Sequence, residues 1–275
     1  MERRVRREAR TVSRVVTLQE MSRDGALMDL AVREAVKETP MKTVKEDHDG
    51  MRYAPISMPL GQLYVAYRGR AICYAAVAVS DDVFERACVR ALGARPTRDG
   101  RPPEGLAKQV VNHLTGKRRF QGRLDLSGLT PFQRLVLEKA REIPSGEVRS
   151  YQWVAREIGA ERAVRAVGTA LAGNPIPFLI PCHRVVRTDG GIGHYSAGDS
   201  SMKARMLAFE GVDVERLARL GARRIRFVGS DATKIFCLPT CEAARRAHES
   251  RAAYLATQRD AARRGYRPCQ HCRPV

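Results

Sequence analysis

Apolar and polar positions change period several times along the chain, and each change marks an element. Gln62–Tyr67 and the apolar run Ala71–Val79 read as two strands joined through Gly69, with a Pro-Leu-Gly turn at 59–61 before them. Residues 81–93 shift to a helical period with Val83, Phe84, Ala87 and Leu92 turned inward, and Gly105–Leu114 repeats it. These elements predict a small α/β unit spanning 55–126. Its Cys73 and Cys88 lie among apolar neighbours and are expected as packed core thiols. Residues 1–54 form an extension rich in Arg and Glu whose one amphipathic stretch is Met21–Val36. No chemistry is visible there, and methionines at 21, 28, 41 and 51 leave its true start open.

From 127 to 216 the pattern turns helical. Thr130 caps a helix with Pro131 at its first position and Phe132, Leu135, Val136 and Ala140 on one face. Pro144-Ser145-Gly146 ends that segment, Ser150 precedes a short helix Tyr151–Ile158 closed by Gly159, and Glu161–Ala172 follows. Two short helices across a glycine turn predict a helix-turn-helix. On the second of them Val164, Val167 and Leu171 share one side, while Arg162, Arg165 and Thr169 recur on the other. Small residues lie between, including Gly168, which costs about 1 kcal/mol relative to Ala inside a helix. Tight helix packing would explain that glycine; close approach to a DNA groove explains the arginines as well and is the favoured reading.

Three prolines at 175, 177 and 181 predict a stiff, extended path into Cys182. Asn174 opens it as a turn residue whose amide can bond the local backbone. His183 and Arg184 flank the thiol with groups that favour a thiolate. Adjacent side chains of an extended segment point apart, so His183 would reach the sulfur only through a water or a bend. By itself a Cys-His pair is more often structural or part of a metal site than a nucleophile.

Composition sharpens the picture. The 275 residues carry 49 Lys and Arg against 30 Asp and Glu, a formal net charge of +19, so a polyanion is the expected partner. The excess is concentrated: residues 219–275 hold 13 basic side chains and 4 acidic ones. No export signal opens the sequence, and Ala71–Val79 is too short to span a bilayer. Seven cysteines then point to a reducing compartment, and the protein is expected in the cytoplasm, associated with DNA and without membrane contact. Within the basic tail, Cys237-x3-Cys241 and Cys269-x2-Cys272 have the spacing of a tetrahedral four-thiolate site holding one zinc. His271 lies between two of these ligands and is read as a surface residue. Arg245, Arg246, Arg263, Arg264, Arg267 and Arg273 flank the pairs and would meet DNA phosphates, a contact expected to act independently of Cys182.

The stretch Leu129–Gly211 closely resembles the O6-alkylguanine-DNA alkyltransferases, through Gly146-Glu-Val-Arg-Ser-Tyr151, Arg165-Ala-Val-Gly168, Gly173-Asn-Pro-Ile-Pro, Ile180-Pro-Cys-His-Arg-Val-Val, Gly193-His-Tyr-Ser196 and Lys203 through Glu210-Gly211. The α/β unit before it is similar to that family's N-terminal half, more loosely. The resemblance implies irreversible, stoichiometric transfer of the methyl group of O6-methylguanine, and of O4-methylthymine, in double-stranded DNA to Cys182. It makes His183 a base acting through a water and Glu210 the group that orients the imidazole. Tyr151 and the backbone at Ser196 would donate hydrogen bonds to guanine, and Asn174 would brace the loop. Arg165 would replace the flipped base, with Arg162, Thr169, Ser150 and Arg184 in the DNA contact. Ala197 stands where relatives often carry Gly, which leaves the breadth of the alkyl pocket open. Phe236-Cys-Leu-Pro-Thr-Cys and Gly265-Tyr-Arg-Pro-Cys-Gln-His-Cys-Arg-Pro resemble the zinc domain of Ada proteins, where the first cysteine accepts methyl from phosphotriesters. That makes Cys237 a possible second acceptor, although Leu238 replaces the usual Arg.

The expected fold class is therefore α+β: a small α/β unit, a helical, winged-helix-like alkyltransferase domain, and a zinc-binding domain over 219–275. A monomer without an organic cofactor is expected. Two other functions stay in play, a zinc-dependent DNA-binding regulator or alkylation sensor, and a lesion binder that lacks repair chemistry. Cys182 speaks against the second.

Overall fold

The computed structural model describes residues 50–193, 195, 200–246 and 252–275. The first unit is an antiparallel meander of β1 (Arg52–Met58), β2 (Gly61–Arg68) and β3 (Ala71–Val77), with the two-residue strands β4 (Thr97–Arg98) and β5 (Arg123–Leu124) added in parallel at its outer edges. Helix α1 (Asp81–Leu92), capped by Ser80, presses Phe84 onto Tyr53 and Tyr64, each with ring centroids 5.1 Å away. Cys73 and Cys88 are buried in the same cluster, as their apolar surroundings predict. Helix α2 (Leu106–Leu114) closes the unit.

Strand β1, which the apolar pattern does not predict, starts at Arg52, ahead of the expected boundary at 55, and runs through Pro55. Its neighbour β4 reaches only Arg52 and Tyr53, so Pro55 faces no partner on that side and its missing N–H costs no ladder bond.

The helical part follows as α3 (Pro131–Arg141), β6 (Arg149–Ser150), α4 (Tyr151–Glu157), α5 (Val164–Ala172), a 3-10 turn at Cys182–Arg184, β7 (Val185–Val186), α6 (Ser200–Phe209) and α7 (Val214–Ala222). Thr130 and Gln133 form a capping box on α3. That helix buries Val136, Leu137 and Ala140, whereas Leu135, expected inward, is 52% exposed. At 100° per residue Leu137 shares the face of Val136 and Ala140, and Leu135 does not. Helix α5 begins at Val164 rather than Glu161, so Arg162 sits in the turn before it. Strand β6 pairs in parallel with β7, Arg149 opposite Val185 and Ser150 opposite Val186.

Helix α7 runs across the expected boundary at 219 into the last unit, a four-stranded sheet in the order β10 (Ala252–Leu255), β8 (Phe227–Ser230), β9 (Ile235–Cys237), β11 (Arg267–Pro268), with helices α8 (Glu242–Arg246) and α9 (Gln258–Arg263). Among the described residues no helix is long and apolar enough to cross a membrane.

Candidate active site and metal centre

The segment entering Cys182 is not straight. Ile180 N donates to Ile176 O at 3.0 Å, Pro177 bridges Ile180, and Phe178 takes φ +73°, a left-handed geometry that a side chain rarely adopts. The prolines stiffen a tight loop instead of an extended run. Asn174 closes it from inside: its Oδ1 accepts from Ile176 N at 3.0 Å, and its Nδ2 donates to Ile180 O at 3.0 Å and stands 3.2 Å from Cys182 Sγ. From the first unit, Ala75 N donates to Pro175 O at 3.0 Å, so β3 anchors the loop as an extra strand would.

The 3-10 turn places Cys182 at 4% exposure and leaves His183 buried. His183 Nε2 lies 2.8 Å from Glu210 Oε1, just past the end of α6. Burial, opposed by the Glu210 contact, holds the imidazole pKa below its usual value, so the ring is neutral at physiological pH. Burial would raise the Glu210 carboxyl, but hydrogen bonds and charge from His183 and Arg184 hold it down at about 2. His183 Nδ1 is buried with no protein partner among the described residues.

Arg184, expected at the DNA, is instead 5% exposed. Its Nε and Nη2 donate to Glu210 at 2.9 and 2.8 Å, and its Nη1 donates to Ile143 O at 2.6 Å. Burying a guanidinium is costly unless acceptors surround it, and this fold supplies them inside. Arg184 is a clamp on the carboxylate that holds His183.

Cys182 opens on a cleft of about 1030 Å³ lined by Tyr151, Arg165, Gly168, Thr169, Tyr195 and Ala218 among others. Arg165 and Thr169 are exposed on α5, and Arg165 makes no ion pair among the described residues. A Cβ on Gly168 would touch only the Tyr151 ring, at 3.9 Å, so packing inside the protein does not demand glycine there. Gly193 does have a local reason: its φ is +76° and a Cβ would come within 3.3 Å of Tyr151 Oη. Ser150 is occupied as the cap of α4, accepting from Trp153 N at 3.0 Å. Ser196 and Ala197 lie outside the described residues.

Two further side chains, Lys203 and Tyr195, stand near the cysteine without a role implied by the family resemblance. Lys203 is buried on α6, donates to Val185 O at 2.6 Å and stands 3.4 Å from Tyr151 Oη; burial lowers its pKa to about 8. Burial raises the Tyr151 hydroxyl. Tyr195 sets its ring edge-on to His183, centroids 6.3 Å apart, with its hydroxyl buried. Only the fold brings these groups to the cysteine.

In the last unit the sulfurs of Cys237, Cys241, Cys269 and Cys272 lie within 4.8 Å of one another, all buried. Contact with Cys241 and Cys272 pushes the Cys237 thiol up, while contact with Cys237 and Cys272 holds Cys241 down. Leu238 N also points at Cys272 Sγ at 3.4 Å. A buried set that crowds sulfur and aims a backbone N–H at it fits a thiophilic dication. Cys237 and Cys269 line a small pocket of about 170 Å³ under β8 and α8.

This unit is hydrogen-bonded directly to the catalytic part. Thr240 Oγ1 accepts from Val148 N at 2.9 Å, and Trp153 Nε1 donates to Cys272 O at 2.9 Å. Arg273, expected at phosphates, pairs with Glu157 at 2.7 Å. His271 is exposed, as expected, yet its Nε2 lies 3.2 Å from Glu147 Oε1.

Residues 131–212 match the family profile described as 6-O-methylguanine DNA methyltransferase, DNA binding domain, and residues 221–275 match the metal binding domain of Ada. The chain is 34% identical over 166 residues to the methylated-DNA–protein-cysteine methyltransferase of Mycolicibacterium paratuberculosis, covering 58% of this chain and 92% of that protein. It is 36% identical over 190 residues to the bifunctional transcriptional activator/DNA repair enzyme Ada of Escherichia coli, covering 65% of this chain and 52% of Ada. The solved O6-methylguanine methyltransferase of Mycobacterium tuberculosis superposes with a TM-score of 0.50 at 32% identity, over 58% of this chain and 92% of that one. Against several curated relatives the match takes in only about half of their length.

Proposed function

The chain belongs to the methylated-DNA–protein-cysteine methyltransferase family, and on that premise we propose that it repairs DNA by moving the methyl group of O6-methylguanine irreversibly onto Cys182. The carrying observation is Cys182 on the cleft wall with its Sγ 3.2 Å from Asn174 Nδ2, followed directly in the chain by a buried His183 braced on Glu210.

An O-methyl carbon is a weak electrophile, so the attacking sulfur must be a thiolate. A water between Cys182 Sγ and His183 Nδ1 would pass the thiol proton to the ring and would satisfy that buried nitrogen. Glu210, held anionic by Arg184, stabilises the imidazolium that forms. Sulfur then bonds to the methyl carbon while the carbon–O6 bond breaks, and guanine departs with that electron pair. Tyr151 can give its proton to the departing base and regain one from Lys203, whose pKa near 8 suits it as a donor. The thioether product resists water, so each molecule acts once.

The target base must leave the duplex to reach a cleft of this depth, and exposed Arg165 at its mouth is suited to fill the gap. With Thr169 and Arg162 it would face the minor groove. The four-cysteine unit would bind one zinc through Cys237, Cys241, Cys269 and Cys272. Bound there, the metal would keep the four sulfurs as thiolates and would contribute folding energy to the small sheet around them. Cys237, which lines the small pocket, is our second candidate acceptor, for methyl from a phosphotriester.

Intact-mass spectrometry with peptide mapping, after incubation with duplex DNA carrying O6-methylguanine, tests the reading. One methyl on the Cys182 peptide supports it; an unmodified protein under conditions where the lesion is bound would make it a sensor instead.

A further inference from the structure

The metal-binding unit grips the catalytic part at residues 146–157, and the partners in that grip are buried and polar. Glu147 is 2% exposed; its Oε1 accepts from Glu242 N at 3.0 Å and approaches His271 at 3.2 Å, and its Oε2 takes a hydrogen bond from Arg149 at 2.6 Å. Val148 N is capped by Thr240, one residue from the ligand Cys241. Trp153 Nε1 donates to the carbonyl of the ligand Cys272. Gly146, with φ +76°, is pressed between the Glu210 backbone and the Arg245 guanidinium; a Cβ there would come within 3.0 and 3.2 Å of them. The bonds between the two parts join a ligand, Cys272, or a chain neighbour of a ligand, Thr240, Glu242 or His271, to residues 147–153, which lead into the helix that presents Tyr151.

The gripped segment is one step from the nucleophile. Strand β6 pairs with β7, which follows Cys182–Arg184 directly, and Gly146 N points at Glu210 Oε2 at 3.4 Å. Losing the grip would leave one oxygen of a buried carboxylate, an indole N–H and a backbone N–H without their partners, so the segment would have to rearrange.

We propose that the four-cysteine unit is a positioning element for the Cys182 site: its metal-supported grip on residues 146–157 sets Tyr151 and the Glu210 brace. This rests on the methyl-transfer reading. Zinc-supported folding holds Thr240, Glu242 and Cys272 in register, and these hold β6 and α4 against β7. Metal loss would therefore slow chemistry at Cys182 even on a substrate that makes no DNA contact.

The chain carries one tryptophan, Trp153, and it sits in the grip, so its fluorescence reports docking. The full-length protein is stripped of metal with EDTA at mildly acidic pH under reducing conditions, returned to neutral pH, and compared before and after Zn²⁺ is restored. The substrate is free O6-methylguanine base, which removes DNA binding from the comparison. We expect the Trp153 emission to move to longer wavelength on stripping and the single-turnover rate to fall roughly tenfold, both recovering with Zn²⁺. Thr240→Val should slow the free-base reaction several-fold while retaining its metal and its fold by circular dichroism, and Thr240→Ser should restore the rate. An unchanged free-base rate in the stripped protein and in Thr240→Val would overturn the proposal. If the zinc-loaded wild type transfers no methyl to Cys182 from any substrate, the methyl-transfer reading itself falls, a result the stripped and loaded rates cannot be confused with.

Discussion

His183 Nε2 stands 2.8 Å from Glu210 Oε1, and the carboxylate is held from its other side by Arg184. Because one ring nitrogen is committed to Glu210, the second is the one left to take a proton from the sulfur side. Arg184 fixes the carboxylate as an anion, so the pair stays ready over a wide pH range. Chain neighbours thus divide the work: Cys182 faces the cleft, and the two residues after it face the brace.

Replacing the acceptor gives the first prediction. Cys182→Ala should abolish methyl transfer from O6-methylguanine while leaving DNA binding largely intact, measured with radiolabelled duplex and a mobility-shift titration. Label retained on another cysteine would overturn the assignment.

Arg165 is exposed at the cleft mouth. Losing a side chain that fills the vacated stack plausibly costs a few kcal/mol, so Arg165→Ala should slow repair in duplex DNA by about a hundredfold. Reaction with the free methylated base should change little. Equal slowing on both substrates would mean a damaged pocket.

Lys203 supplies a pH test. Its pKa is lowered to about 8, so it loses its proton as pH rises through 8. If that proton reaches guanine through Tyr151, the single-turnover rate should decline above pH 8. Lys203→Met should be slower at neutral pH and lack that alkaline decline. A decline of the same shape in the variant would assign it to another group.

Glu210 links the site to stability. Its folded pKa of about 2 lies below the ordinary carboxylate value, so its contribution is full above about 4.5 and is lost as pH falls toward 2. The shift corresponds to about 3 kcal/mol. Glu210→Gln should be less stable at pH 7 and should lose less stability on acidification, as read from denaturant midpoints at each pH. Parallel curves for both proteins would refute the linkage.

Surface charge on the last unit predicts salt dependence. Arg263 and Arg267 are exposed and make no ion pair among the described residues, whereas Arg246 and Arg273 are held by Glu242 and Glu157. Binding to undamaged duplex should weaken with salt at a slope of roughly −0.9 per phosphate contact. The double variant Arg263→Ala, Arg267→Ala should make the slope shallower by about two contacts, and Arg246→Ala should leave it nearly unchanged. The same slope for all three proteins would place the DNA contact elsewhere.

Much of this was legible in the sequence because its causes are local. The capping box at Thr130, the cap at Ser150, the cysteine spacings and the Pro-Cys-His-Arg segment are each set within a few residues. Resemblance then attached Glu210 and Tyr151 to Cys182 across the chain. Tertiary structure alone decided what depends on distant partners. Pro55 sits in a strand because its neighbour strand ends early, and Arg184 turned inward because Ile143 and Glu210 offer acceptors there. Lys203 reached the site because α6 carries it there, and Tyr195 because the fold sets its ring against His183. Glu147 reads as an ordinary surface carboxylate, yet it is buried because Glu242 N, His271 and Arg149 meet it from two units. Short-range spacing fixes caps, turns and ligand pairs, but a buried charge is satisfied by whichever groups the fold carries to it, and their separation along the chain holds no trace of that meeting.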